Sequence, residues 1–251
     1  MVLNRIGSAH LHFTSIRSTN DYAVSLVSKI RPIHGTVISA SFQDNGRGQI
    51  GRSWESAPGK NACLSIILYP EITASDQFQL NATIALSLRS FVAKYLTTPV
   101  TIKWPNDIYV GKNKIAGILI QNAISGQQIR YCVVGIGLNV NQLTFPGSIP
   151  NPTSLAKESG TIYPIPEILL CLFDQLSVGL DRMNTQTIQQ TLSDYEERVF
   201  RKNEVCEFIR TQTDDSFKAR ILGVDSSGRI RLDEGKGEYT YAFNEIRLKT
   251  T

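Results

Sequence analysis

Gly46-Arg47-Gly48-Gln49-Ile50-Gly51-Arg52-Ser53-Trp54 is the stretch that decides which folds this chain can adopt. Its glycines match the Gly-x-Gly-x-x-Gly spacing of a dinucleotide fingerprint letter for letter, but the context does not. A fingerprint opens a helix directly after a strand, and an acid follows about twenty residues later at a strand end. Here Arg52-Ser53-Trp54-Glu55-Ser56-Ala57-Pro58-Gly59 follows, which cannot be a regular helix, and the next apolar run, Asn61 to Tyr69, reads as another strand. The doubly wound reading is rejected. The chemistry of the stretch remains. Glycine lets backbone approach a ligand closely. Arginine offers permanently charged, planar donors to phosphate and carboxylate oxygens. Tryptophan presents a flat apolar face. Two readings stand side by side: a loop closing over something anionic and aromatic, such as a nucleotide, or a solvated basic loop.

Upstream, His10-Leu11-His12-Phe13 is strand-like, and apolar Tyr22, Ala23, Leu26, Val27 and Ile30 mark a helix that Ser18 or Thr19 caps. Capping alone explains Ser18-Thr19-Asn20 locally; a helix N-terminus is also a good seat for a small polar ligand. Gly35 to Phe42 alternates and reads as a strand. Downstream, Asp76 to Leu96 has a helical pattern. Thr101 to Val110 and Lys114 to Gln121 are strand-like segments joined by a Gly111-Lys112-Asn113 turn. Lys103, Asn106 and Asp107 cluster at the Pro105 corner. Lys114, taken locally, is a solvated edge charge, and Gly117 follows it. Tyr131 to Asn141 is a buried strand broken by Gly135 and Gly137, through a tight bend or close ligand approach. A short helix capped by Thr153 or Ser154 follows, then helices over Pro166 to Arg182 and Thr185 to Val199. From Glu204 onward short β-like runs separated by turns imply a small all-β barrel.

Net charge is +4, from 26 basic and 22 acidic residues, too small and scattered an excess to argue for nucleic acid. Cys63, Cys132, Cys171 and Cys206 lack metal-ligand spacing and are too few for a disulfide framework, so they read as buried free thiols. His10, His12 and His34 have no ligand-spaced partners. Neither a signal-type h-region nor an apolar run of membrane-spanning length occurs, and a cytoplasmic protein is expected. There is no Gly-Lys-Ser/Thr phosphate loop, Gly-x-Ser-x-Gly elbow or Cys/His nucleophile pair.

Five segments carry donors and glycines at loops or strand ends. They are Ser18-Thr19-Asn20; Gln43 with Gly46 to Trp54; Lys103-Trp104-Pro105-Asn106-Asp107; Lys114-Ile115-Ala116-Gly117-Ile118-Leu119; and Gly135-Ile136-Gly137-Leu138-Asn139. In order and spacing the chain resembles a biotin–protein ligase, from about Phe13 to Leu155, with a C-terminal β module similar to that family's SH3-like cap. The resemblance implies an α+β fold: a mixed β-sheet with helices packed on one face, class II synthetase-like, plus the small SH3-like barrel. It implies a catalytic domain over 1–199, a C-terminal domain over 200–251, and a monofunctional member without an N-terminal DNA-binding domain. The implied reaction uses ATP and Mg²⁺, the metal held mainly through ATP phosphates. Biotin is activated as biotinyl-adenylate and passed to a lysine of a biotin carboxyl carrier domain. No nucleic-acid or membrane partner is implied, and a homodimer is compatible.

By motif position, Ser18, Thr19, Asn20 and Gln43 would hold the ureido end of biotin. Arg47, Gly48, Gln49, Lys114 and Gly117 would complete that site, with Arg47 and Lys114 at the carboxylate and α-phosphate as the catalytic pair. Arg52, Trp54, Lys103, Asn106 and Asn139 would serve ATP, and Gly135 would give room. No general base for the acceptor amine is identified. Many members carry Arg-Gly-Arg where this chain has Arg47-Gly48-Gln49; glutamine hydrogen-bonds but neutralises no charge, so the adenylate is expected to be held less tightly. The stretch from Asp44 to Ser56 is expected to act as a lid. The alternatives are a lipoate–protein ligase of the same architecture, and a non-catalytic nucleic-acid-binding protein.

Overall fold

The computed structural model describes residues 5–49 and 53–249. Among these, seven strands form one mixed sheet in the order β1-β2-β3-β7-β6-β5-β4. They are β1 (His10–Phe13), β2 (Thr36–Ala40), β3 (Asn61–Leu68), β4 (Val100–Lys103), β5 (Asp107–Val110), β6 (Asn113–Ser125) and β7 (Gln128–Asn139). Only β1 and β2 pair in parallel; the other neighbours are antiparallel. Helix α1 (Thr19–Lys29) joins β1 to β2, and α2 (Gln77–Ala93) joins β3 to β4. After β7 come α3 (Leu155–Ser159), α4 (Ile165–Met183) and α5 (Ile188–Glu196). Ser18 caps α1 by accepting the Asp21 N–H, and Ser154 caps α3 by accepting that of Lys157. Thr187 and Gln190 make a capping box on α5.

Strand alternation sets the layers. Leu64, Ile66 and Leu68 of β3 and Val134, Ile136 and Leu138 of β7 point into a core shared with α2 and α4. The intervening Ile67 and Val133 face the other way, joining Ile38 and α1's Ala23 in a second, smaller core. Each fully buried aliphatic side chain of this kind contributes roughly 1.5–3 kcal/mol. Helices therefore cover both faces of the sheet, not one. Periodicity identifies α1 as amphipathic but does not say which face it takes; that follows from the strands it connects.

The C-terminal strands are β8 (Val205–Arg210), β9 (Ser216–Val224), β10 (Ile230–Asp233), β11 (Glu238–Tyr241) and β12 (Ile246–Leu248). They form a five-stranded antiparallel sheet in the order β11-β10-β9-β8-β12. Its inner residues Phe208, Ile221, Ile230 and Ile246 are continuous with the larger core. Val199 and Phe200 flank Ile102 of β4, where Ile102 N–H donates to Arg198 and Phe200 N–H to Ile102. Cys63, Cys132 and Cys206 are buried free thiols, as expected, and burial pushes Cys132 up to about 12. Cys171 departs from expectation. It sits on the exposed side of α4, a surface that local apolar composition did not reveal. No helix among the described residues is long and apolar enough to cross a membrane.

Candidate active site

The site lies on the α1 side of the large sheet. On that face, register places Ser65 opposite Gly135 and Gly135 opposite Leu119; one step along, Cys63 faces Gly137 and Gly137 faces Gly117. Three glycines thus leave a shallow floor without side chains. Each close approach is concrete. A methyl group on Gly135 would stand 3.2 Å from Asn20 Nδ2, and one on Gly137 would collide with the Trp54 ring. On Gly117 it would stand 3.3 Å from Lys114 Nζ and 3.4 Å from Asp107 Oδ1. Of the two open readings of the glycine-broken strand, close approach describes β7: Gly135 and Gly137 lie inside a continuous ladder.

Above the floor sits an inner pocket of about 90 Å³, lined by Thr19, Asn20, Gln43, Ser65, Trp54 and Lys114 among others. Gln43 Oε1 accepts from Thr19 N at 2.8 Å and Thr19 Oγ1 at 3.1 Å, and Thr19 Oγ1 meets Ser65 Oγ at 2.9 Å. Gln43's amide is thereby oriented. Asn20 is buried, yet neither its Oδ1 nor its Nδ2 has a partner. Buried polar groups are nearly always satisfied, so these orphaned groups mark a place for a polar ligand. Arg47, Gly48, Gln49 and Gly117 also line this pocket. Ser18 does not; it is buried beneath, capping α1.

A larger groove of about 680 Å³ opens beside it, between the sheet and the C-terminal strands. Trp54, Lys103, Asn106, Lys114 and Asn139 line it, facing Phe208, Ile221, Ile230 and Ile246. Asn139 Nδ2 donates to Thr153 O at 2.9 Å, leaving its buried Oδ1 without a partner, and Trp54 Nε1 is likewise unsatisfied. The Asn106 side-chain amide donates to the Ile118 carbonyl.

Gln49, Ser53, Trp54, Asn106, Asp107 and Lys114 are common to both cavities. Lys114 is the cation among them. Its backbone is gripped on both sides, N–H to Asn151 O at 2.7 Å and carbonyl from Thr153 N at 2.9 Å. Its Nζ pairs with Asp107 at 2.7 Å and lies 5.8 Å from the Trp54 ring centre. The edge-charge reading of Lys114 is overturned: residues 151–153 cover that edge, a return that strand propensity at Lys114 cannot reveal. Asp107, Ser65 and Gly137 are among the lining residues that motif reading left unassigned. Pairing register was the signal that finds the last two.

Arg47 lines the inner pocket, but its guanidinium turns to Asp21 in the first turn of α1, Nε 2.9 Å from Oδ1. The loop closes on itself through an Arg47–Ser53 bridge and a Trp54 N–H to Gly46 O bond of 2.9 Å. Arg52, assigned to the ATP phosphates by motif position, lies outside the described residues, as do Ile50 and Gly51.

A glycine floor, a polar inner pocket and a larger groove thus meet at Lys114. Residues 12–139 match the biotin/lipoate A/B protein ligase family. The chain is 34% identical over 234 residues to the bifunctional ligase/repressor BirA of Bacillus spizizenii, covering 88% of this chain and 68% of that protein. It is 29% identical over 216 residues to the biotin–[acetyl-CoA-carboxylase] ligase of Paracoccus denitrificans, covering 83% and 88%. In fold it is similar to the biotin protein ligase from Aquifex aeolicus, solved in complex with biotin and ATP: TM-score 0.81, 23% identity, 97% of this chain and 100% of that one. The chain belongs to the biotin/lipoate A/B protein ligase family.

Proposed function

We propose that the chain is an ATP-dependent biotin–protein ligase, acting in two steps. A biotin carboxylate oxygen attacks the α-phosphorus of ATP; the bond to the β-phosphate oxygen breaks, and pyrophosphate leaves. The ε-amine of a lysine on a biotin carboxyl carrier domain then attacks the acyl carbon of biotinyl-adenylate; the acyl–phosphate bond breaks, AMP leaves, and the amine loses a proton to solvent. The observation that carries this reading is the meeting of two cavities at Lys114, each with orphaned buried polar atoms.

Biotin takes the inner pocket. Asn20 and Gln43 meet its ureido group, Thr19 orients Gln43, Ser18 holds the helix end in place, and Gly48, Gly117 and Gly135 give it room. ATP takes the groove, with Trp54 at the adenine, Asn139 offering an acceptor, and Lys103 and Asn106 on the phosphate side; motif position alone gives Arg52 the same role. Lys114 neutralises charge where carboxylate and α-phosphate meet, in a site where such preorganised charge is worth most, and Asp107 aims it. Arg47 would leave Asp21 to reach phosphate; held there, it ties the loop to α1 above biotin. Mg²⁺ would be held mainly by the ATP phosphates. There it would neutralise charge on the leaving pyrophosphate. Residues 1–199 form the catalytic unit and 200–251 the C-terminal one.

The deciding experiment is ATP–pyrophosphate exchange with biotin, with lipoate, and with neither acid. Biotin-stimulated exchange is expected. Lipoate-only stimulation would move the chain to the other branch of its family, and no stimulation by either would overturn the ligase reading.

A further inference from the structure

A third cavity, of about 450 Å³, lies at the far end of α1 from the inner pocket. It is lined by Lys29 in the last turn of α1, Arg31 just beyond it, Tyr69 after β3, and Arg130 and Tyr131 in β7. Tyr69 and Tyr131 lie one residue beyond the last β3–β7 pair, Leu68 with Cys132, and pack on the small core that holds Ile67 and Val133. Ser65 of the inner pocket points to the same side of the sheet as Tyr69, about 13 Å away along the strand.

The wall is formed in advance. Gly35 N–H donates to Ile67 O at 2.9 Å and Tyr69 N–H to His34 Nδ1 at 3.1 Å, so the segment carrying Arg31 is clamped to the end of β3. The Arg31 guanidinium carbon lies 5.0 Å from the centre of the Tyr69 ring. A cation–π contact of this kind fixes the guanidinium without consuming its N–H donors.

The polar groups gathered here lack partners. The Tyr69 hydroxyl is buried and, among the described residues, makes no hydrogen bond, although buried polar atoms are nearly always satisfied. No acidic residue lines the cavity, and Lys29, Arg31 and Arg130 make no ion pair among the described residues. Lys29 has a structural role, offsetting the negative end of the α1 dipole; Arg31, Arg130 and the Tyr69 hydroxyl have none. Burial raises the Tyr69 phenol above its ordinary range, against the opposing charge of Arg31, so it is a neutral donor. Two guanidiniums and a hydroxyl, brought from three segments, suit the oxygens of a tetrahedral anion.

We propose that this cavity is a second ligand site, which takes a small phosphate-bearing anion through Arg31, Arg130 and the Tyr69 hydroxyl and is separate from the two cavities that meet at Lys114. Helix α1 then has a ligand site at each end, with Thr19 and Asn20 at its start and Arg31 just past its finish. The proposal does not depend on the ligase reading.

The test is an NMR titration of the isotope-labelled full chain with inorganic phosphate and, separately, with AMP. It is followed at the backbone amides of Lys29, Arg31, Tyr69 and Tyr131, which keeps binding here apart from binding in the groove. Saturable shifts are expected at about 0.15 M salt. Tyr69→Phe keeps the ring and removes the hydroxyl. Affinity should fall about 3- to 10-fold, with a melting temperature no lower than wild type, because a buried group without a partner has been removed. Arg130→Gln should weaken binding about 10-fold. Tighter binding of AMP than of phosphate would support the site with a nucleotide as its ligand, and equal binding would support it with the phosphate group alone. Shifts that never saturate, that vanish at this salt concentration, or that are the same in wild type and both variants would overturn the proposal.

Discussion

The inner pocket and the outer groove are built on different principles. The pocket is assembled from neighbouring strands and one helix end, and its hydrogen bonds are made before any ligand arrives: Ser65 to Thr19, Thr19 to Gln43. The groove spans two sheets and the segment after β7, and its walls are set by contacts such as Trp104–Gly228 and Lys114–Asn151. A site inside one ladder inherits the stiffness of that ladder. A site between two sheets inherits whatever fixes one against the other. Damage to the pocket should therefore be local and chemical, and damage to the groove should be transmissible from a distance.

The sharpest way to break this division is at the junction. Lys114→Ala should lower adenylate formation by roughly 10²–10³-fold with the fold intact, read as biotin-dependent pyrophosphate exchange beside a thermal melt; normal exchange would leave the junction without its charge role. Next in size is Thr19→Val, which removes the hydroxyl shared by Gln43 and Ser65. Biotin affinity should fall about 10- to 100-fold while KM for ATP barely moves. Parallel losses would show that the two cavities are one. Gln49 lines both cavities, so Gln49→Arg should slow release of biotinyl-adenylate several-fold by adding a charge beside the phosphate; an off-rate equal to wild type would end the argument that glutamine loosens the intermediate.

The smallest effect lies away from both cavities. Burial, and then the charge of His12, lower the pKa of His10, and burial does the same for His34. The unfolded chain then binds protons that the folded chain resists, so stability rises with pH through the imidazole range and is lost as pH falls. His10→Gln should flatten the melting temperature between about pH 7 and pH 5. An unchanged slope would mean that His10 does not contribute to it.

Much of the fold was legible in the sequence. The runs Asn61 to Tyr69, Gly35 to Phe42 and Val205 to Arg210 fold as strands within a residue or two of their sequence limits, because alternation and β-branching state both element and face. Thr19, Asn20, Gln43 and Lys114 could be named only through the order and spacing of motifs that resemble the ligase family; taken locally, Thr19 and Asn20 read as part of a helix cap and Lys114 as an edge charge. Three things were not legible, for one physical reason. The covering of Lys114 by residues 151–153, the glycine floor built across β6 and β7, and the placement of α1 opposite α2 and α4 are all matters of pairing between distant segments. Local pattern gives the period of a strand but not its neighbour, and Asp107 became visible only once Lys114 lay beside it.

The bare floor also limits how this site can change over generations. At Gly137 the smallest possible replacement collides with the Trp54 ring, and at Gly135 and Gly117 it presses on Asn20 and Lys114, which must shift to admit it, so space constrains a newcomer before its chemistry is tried. Innovation must come from the rim, where Gln49 and Arg47 have room for alternatives. A descendant of this chain that accepts a different acid would be expected to keep its floor and redecorate its edge.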